Sequence, residues 1–362
     1  VPVSSLDTGR NGPVLAGIAL ARLPELQTAS GLFRETARIE GVEDAGPVTS
    51  LLPATVVLLG LLRVEEAEID QPFSTGALRT RILGDLGHSE VTIGELGLAL
   101  WAETRAEGRA ITEIEAHLKG RATRGFERVP TGQLAWALSG LVEASQLTGD
   151  GDSRLRGQVL EALLERVEDD SGMLVDLQHR LRGPAVPVTG QFHSLHAFCQ
   201  LLRTGEDERI AGVAGRLAGR LLALQRDDGG WPGLVDPLRG EAAGWYPALA
   251  VTQLAAAPLA FRAGSEVGLE GDFSAAVAAG LAWARGGNAL GFDLVHEQES
   301  RIDRGIMPRR EPGALERGLS LAGRRLRGRL PEPDPSRLIL DPAVSSDDLG
   351  WVLEAWAGRQ GS

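Results

Sequence analysis

A single cysteine, Cys199, stands in 362 residues. It excludes an internal disulfide and any cysteine-rich zinc site. Lysine is as scarce: Lys119 is the only one, and the remaining basic charge is arginine. Positive charge is short overall, with 37 Lys and Arg against 49 Asp and Glu and a formal net charge of −12. A general nucleic-acid-binding role, which needs a basic face, is therefore not expected. Aromatic residues make up only 4%, as seven Trp, eight Phe and one Tyr. Carbocation chemistry, which holds positive charge against π-faces, is poorly provided for by that count. No run of about 18 uninterrupted apolar residues occurs, so no transmembrane helix is expected. The opening Val1-Pro2-Val3-Ser4 lacks the charged-then-apolar layout of a signal peptide, which makes the cytoplasm the expected location.

The chain is rich in internal repetition. Asp169-Asp170-Ser171-Gly172-Met173 recurs as Asp227-Asp228-Gly229-Gly230-Trp231, and each copy leads into Leu-Val-Asp, at 174–176 and 234–236. Apolar-periodic stretches flank each copy, at 154–167 and 190–203, then at 208–225 and 246–263. Thr204-Gly205 and Ala263-Gly264 close two of these stretches, Thr148-Gly149 closes a similar one at 131–147, and Gly291-Phe292-Asp293-Leu294-Val295-His296 is a further turn copy. The apolar spacing is i, i+3, i+4, without strand-like alternation, and Gly and Pro punctuate the gaps. The second helix of each unit is expected at 53–63, 94–106, 131–147, 190–203, 246–263 and 347–358, with first helices such as 74–86, 109–123 and 271–285.

Repeated helix pairs stack as an open solenoid or close into a ring. Second helices such as 246–263 are apolar nearly all round and need burial on every side, whereas 208–225 is amphipathic. That contrast predicts an all-α fold, an α/α toroid of about six helical hairpins. The toroid is expected to be a single domain over 1–362, with an irregular insert at about 285–345.

Closure would bring the loops between first and second helices to one rim. Asp176, Asp236, His179, His296 and Glu297 would then be neighbours, with Gln191, His193, Tyr246, Asp347 and Asp348 at the starts of the inner helices. Each has a plainer alternative. The Asp-Asp-Gly-Gly string makes a turn, the repeated Asp176 and Asp236 cap the following helix, and Asp347-Asp348 favour a helix N-terminus. His193 and His196 are three apart on one helix, but without a third ligand no metal is expected. No cofactor is expected either. Arg301 and Arg304 in the insert would hold an anionic group or form a solvated charged loop. Trp231, Trp245 and Tyr246 would stack on a ligand or wedge the hairpins.

Gln225-Arg226-Asp227-Asp228-Gly229-Gly230-Trp231 resembles the Gln-Trp repeat of triterpene cyclases and related α/α toroids. The resemblance implies that the Gln and Trp tie adjacent helices together. The Asp-x-Asp-Asp acid motif of those cyclases is absent; Val167-Glu168-Asp169-Asp170 is the nearest string. Gly229-Gly230-Trp231-Pro232 is similar to a turn of polysaccharide lyases with toroid folds, and six-hairpin glycosidases share the architecture. That similarity implies a glycan cleft at the rim. The pattern of Trp231, Pro232, Asp236, Tyr246, Pro247 and Gln253 resembles that of bacterial toroid proteins, a similarity that supplies no activity; Gln253 stands beside Trp231, Trp245 and Tyr246 among the substrate-binding candidates.

The leading expectation is a carbohydrate-active enzyme acting on a small-molecule or oligosaccharide ligand. Asp176 and Asp236 would be its acid and base, with Asp348 in reserve and His179 or His193 substituting in an elimination. A terpenoid cyclase-like or prenyl-binding enzyme would instead need a dry, apolar central cavity. A non-catalytic ligand- or partner-binding toroid is the third expectation.

Overall fold

A computed structural model of the chain describes residues 8–37, 50–88, 90–108, 111–148, 152–176, 185–205, 207–310, 330 and 334–357. His179 lies outside them. The helices alternate between two rings. The inner ring holds α2 (Leu52–Glu66), α4 (Ile93–Glu107), α6 (Thr131–Thr148), α8 (Val188–Leu202), α10 (Ala257–Glu266, entered through a π-helical turn at Thr252–Ala256) and α12 (Ser346–Trp356). Each packs on the next, and α12 packs back on α2, so the ring is closed. The outer ring holds α1 (Thr8–Leu26), α3 (Thr75–Asp85), α5 (Thr112–Ala122), α7 (Ser153–Leu164), α9 (Glu208–Ala223) and α11 (Phe273–Ala284). This is the expected α/α toroid of six hairpins.

Burial follows the sequence pattern. In α4 every residue from Ile93 to Thr104 is buried, as a helix surrounded by other helices requires. In α9 the buried set is Ile210, Val213, Ala214, Leu217, Ala218 and Leu221, the one-faced stripe of a surface helix. Small residues let the inner helices approach closely. A Cβ on Gly140 would collide with the Gly97 carbonyl of α4, and one on Gly60 would lie 2.6 Å from the Gly350 carbonyl of α12.

Short strands border the N-terminal ends of the inner helices. They are β1 (Thr36–Ala37), β2 (Val186–Pro187), β3 (Leu234–Asp236), β4 (Glu241–Gly244), β5 (Ala248–Leu249), β6 (Val295–His296), β7 (Arg301–Ile302), β8 (Gly305–Pro308), β9 (Leu338–Asp341) and β10 (Val344–Ser345). β1 pairs antiparallel with β10, Thr36 opposite Ser345. The N-terminal segment therefore seals the ring at its last helix, and α1 packs outside α12.

One boundary departs from expectation. Residues 246–249 are not helical: Ala248 and Leu249 pair with Ile306 and Gly305. Pro247 offers no N–H and turns the residue before it away from helical geometry. Farther along, Pro258 cannot bond the Leu254 carbonyl four residues back. The Trp356 Nε1–H of α12 donates to that carbonyl instead, which pins the last inner helix to the fifth.

Candidate functional site

At the N-terminal mouth, many of the polar residues hold helix ends. Glu95 forms a capping box with Thr92, and its Oε1 also accepts from Ser50 Oγ (2.7 Å) and from Leu51 N (2.9 Å) and Leu52 N (3.0 Å) at the start of α2. Asp176 does the same for α6. Its Oδ1 accepts from Thr131 N at 2.6 Å and lies 3.7 Å from the buried Arg166 guanidinium. Gln191 ties the Leu174 turn to α8, accepting from its N–H and donating to its carbonyl. Asp236 is buried at the end of β3, where its carbonyl accepts from Gly240 N.

The aromatic candidates serve packing. Trp231 is 1% exposed, wedged against Phe192 and Phe261, and its Nε1 donates to Leu221 O. Gln225 donates to Gly229 O and to Ala276 O of α11. The two therefore join neighbouring hairpins, as the Gln-Trp resemblance implies. Trp245 lies beneath Arg226, 4.8 Å from the ring centroid to Cζ. Tyr246 is half-buried. Gln253 is fully buried in the π-helical turn.

A different cluster carries titratable groups at this mouth. Asp348, in the first turn of α12, shares a small cleft with Asp303, Arg304 and Ser345. Desolvation and the neighbouring Asp347 push its carboxyl well above the usual range, opposed by Arg304. Asp347 is raised by desolvation as well, against the hydrogen bond it accepts from Ser345. Asp303 is 1% exposed. It takes Arg301 Nε at 2.9 Å on one oxygen and His296 Nε2 at 2.9 Å on the other. His296 and Arg301 face each other across the β6–β7 pair. Arg304 makes no hydrogen bond or ion pair through its side chain among the described residues. The arrangement offers a carboxyl whose surroundings favour its protonated form, an imidazole oriented by a buried carboxylate, and a guanidinium with no side-chain partner among the described residues.

The middle of the ring is filled. Trp351 lies 6.1 Å from Trp136, 6.5 Å from Trp101 and 4.7 Å from His193, between ring centroids. Burial holds His193 neutral, with its pKa lowered to about 3. His193 is thus enclosed among tryptophans, and the dry apolar cavity of the terpenoid reading is absent from the described residues.

Beyond this plug, at the C-terminal mouth, lies a cavity of about 980 Å³. The C-terminal ends of all six inner helices send charged residues to it: Arg63 and Glu66, Arg105, Glu143, Arg203, Arg262 and Glu266, and Glu354. Glu354 binds Arg105 at 2.8 Å, Arg63 binds Glu66 at 2.7 Å, and Arg203 binds Glu266 at 3.0 Å. None of these was expected as a site residue, although isolated charges at the ends of very apolar helices are visible in the sequence. Asp303 left no comparable signal, because its partners meet only when the insert folds back.

No known family model matches the chain, and no curated protein matches it in sequence. Solved structures do match in fold. A glycosyl hydrolase family 88 protein from Bacteroides vulgatus is 11% identical, with a TM-score of 0.56 over 97% of this chain and 99% of its own. An unsaturated glucuronyl hydrolase specific for heparin is 14% identical, with a TM-score of 0.57 over 97% and 96%. A polysaccharide lyase is 11% identical, with a TM-score of 0.55 over 96% and 97%. The chain thus has the α/α-toroid fold of these proteins.

Proposed function

We propose that this protein is a carbohydrate-active enzyme that cleaves an acidic glycan at the N-terminal mouth of the toroid. The observation that carries the reading is the cluster of Asp348, Arg304 and the Asp303–His296 pair. The glycosyl hydrolase, glucuronyl hydrolase and polysaccharide lyase structures that share the fold support the substrate class.

In this reading Asp348 is the general acid, since its surroundings favour the protonated carboxyl. It gives its proton to the glycosidic oxygen as the bond to the anomeric carbon breaks. His296, oriented by Asp303, takes a proton from the water whose oxygen bonds that carbon. Arg304 pairs with a substrate carboxylate. The insert arginines thus give a protein of net charge −12 a local place for an anionic sugar. Asp176 takes a structural role, its carboxylate capping α6.

The test is cleavage of uronate-containing oligosaccharides by wild type, Asp348→Asn, His296→Gln and Arg304→Gln. Removing the acid or the base should lower kcat by roughly 10²–10⁴-fold, and Arg304→Gln should act mainly on KM. Wild-type activity on neutral glycans alone, or full activity of Asp348→Asn, refutes the reading.

A further inference from the structure

We propose that Ser345 and Asp347 are positioning residues that clamp the N-terminal strand β1 onto the first turn of α12, through a proton that Asp347 carries and donates to the Ser345 hydroxyl. The catalytic consequence rests on the reading of Asp348 above; the proton relay itself does not.

Ser345 and Ser346 immediately precede the acid pair, and both are buried. Their hydroxyls reach back to the segment that enters β1. Ser345 Oγ donates to the Glu35 carbonyl at 2.8 Å, and Ser346 Oγ donates to the Arg34 carbonyl at 2.5 Å. Ser346 N also donates to the Glu35 carbonyl, at 3.2 Å. Ser345 Oγ meets the Asp347 carboxyl as well, and Ser345 lines the cleft that holds Asp348. A hydroxyl has one proton to give. The Glu35 carbonyl can only accept, and so can an ionised Asp347. An ionised Asp347 takes the Ser345 proton, and the Glu35 carbonyl loses that donor. Both contacts hold together only when Asp347 is protonated and donates to Ser345 Oγ, which leaves the Ser345 proton for Glu35.

The surroundings favour the protonated state. Desolvation raises the Asp347 carboxyl and the Glu35 charge adds to it, against the Ser345 hydrogen bond and Arg304. Asp348 stands next to it, with Asp341 of β9 also near and Arg304 the opposing cation. Asp303, in the same cleft, already engages His296. Of the elements packed on α12, α1 brings Arg22 and Glu25, which pair with each other. The first turns of α2 and of the π-helical segment carry no charge. The relay is therefore complete at low pH and is lost as pH rises through the Asp347 titration. Ionisation loosens β1 and sets a negative charge beside Asp348.

Hydrogen exchange of the full chain, read by mass spectrometry over 30–37 and 343–347 from about pH 5 to about pH 9, tests the relay across the range open to a buried carboxyl. With the intrinsic exchange rate divided out, wild-type protection should fall roughly two- to tenfold as pH rises, as for the loss of one buried hydrogen bond. Asp347→Asn donates to Ser345 at every pH, so its protection should stay level. Protection that is level in wild type, that falls toward acid, or that falls alike in Asp347→Asn overturns the relay. Cleavage of uronate-containing oligosaccharides tests the positioning role. Ser345→Ala should lower kcat roughly tenfold, with KM nearly unchanged, because it misplaces the acid. Asp347→Asn should lose less kcat than Asp347→Ala and should bring the alkaline limb of the pH profile down, since no charge can then form beside Asp348. Thermal melts confirm that each variant folds. Full kcat in Ser345→Ala, where Asp348→Asn is inactive, overturns the positioning role. A wild type that cleaves none of these substrates overturns that role together with the catalytic reading, whereas the exchange result still decides the relay.

Discussion

Replacing Glu95 with Ala should be among the most damaging single changes outside the apolar core. One carboxylate there serves two inner helices. Its Oε1 accepts from Ser50 Oγ, Leu51 N and Leu52 N, and its Oε2 accepts from Thr92 N at 2.7 Å. The residue is 5% exposed, and Leu51 is buried with it, so water does not simply replace the lost acceptor. Losing a helix cap costs about 1 kcal/mol, and orphaning a buried N–H costs about 1–3 kcal/mol. Two helix starts and one buried N–H together give about 3–5 kcal/mol. A chain of this length has an unfolding entropy of about 0.8 kcal/mol/K, so Tm should fall by about 4–7 °C. Glu95→Gln keeps one acceptor oxygen and turns a donor toward Thr92 N, so it should lose about half as much. Differential scanning calorimetry of the three proteins decides the matter. A Glu95→Ala melt within 1 °C of wild type would refute the shared-cap argument.

Other expectations follow from single residues. Trp356→Phe leaves the Leu254 carbonyl without the donor that replaces Pro258, and should cost about 1–3 kcal/mol, read by urea denaturation. His193 is neutral in the fold and has a pKa of about 3 there, while the unfolded side chain titrates near 6.5. The unfolded state therefore binds the extra proton between those values. The stability His193 contributes is complete above about pH 6.5 and is lost by about 1.4 kcal/mol per pH unit as pH falls toward 3; His193→Gln should flatten that part of the stability curve. Cys199 is buried, and its thiol is pushed up to about 12. It should resist alkylation in the native protein and react on unfolding, as mass spectrometry after iodoacetamide would show.

Much of the ring was legible because burial leaves a periodicity. The one-faced stripe of α9 and the all-round apolar α4 are different patterns, and they correspond to outer and inner positions. Residues 246–249 misled because a short apolar run reads alike as strand or helix; pairing with β8, from the distant insert, decides between them. The Leu-Val-Asp repeat marked a real structural equivalence, yet Asp176 spends its carboxylate on Thr131 and Arg166. Repetition in this chain tracks architecture. The candidate chemistry lies instead where the pattern breaks, in the insert that carries His296, Asp303 and Arg304 to the first turn of α12. Asp348 was visible at a helix start, but its raised pKa depends on burial beside Asp347, which spacing along the chain does not reveal. The charges at the C-terminal mouth were readable one helix at a time; only closure makes them a ring.

The sharpest test couples function to stability at Asp348. A carboxyl whose folded pKa is raised holds a proton that the unfolded chain has lost. Its ionisation therefore destabilises the fold as pH rises through the range between the two values. Asp348→Asn removes that penalty, so at pH 7 the variant should melt at or above the wild-type temperature while losing roughly 10²-fold or more of its activity on uronate-containing oligosaccharides. Measuring both on the same preparations tests the account directly. An Asp348→Asn protein that is as active as wild type, or one whose activity loss is matched by a lower Tm, contradicts it.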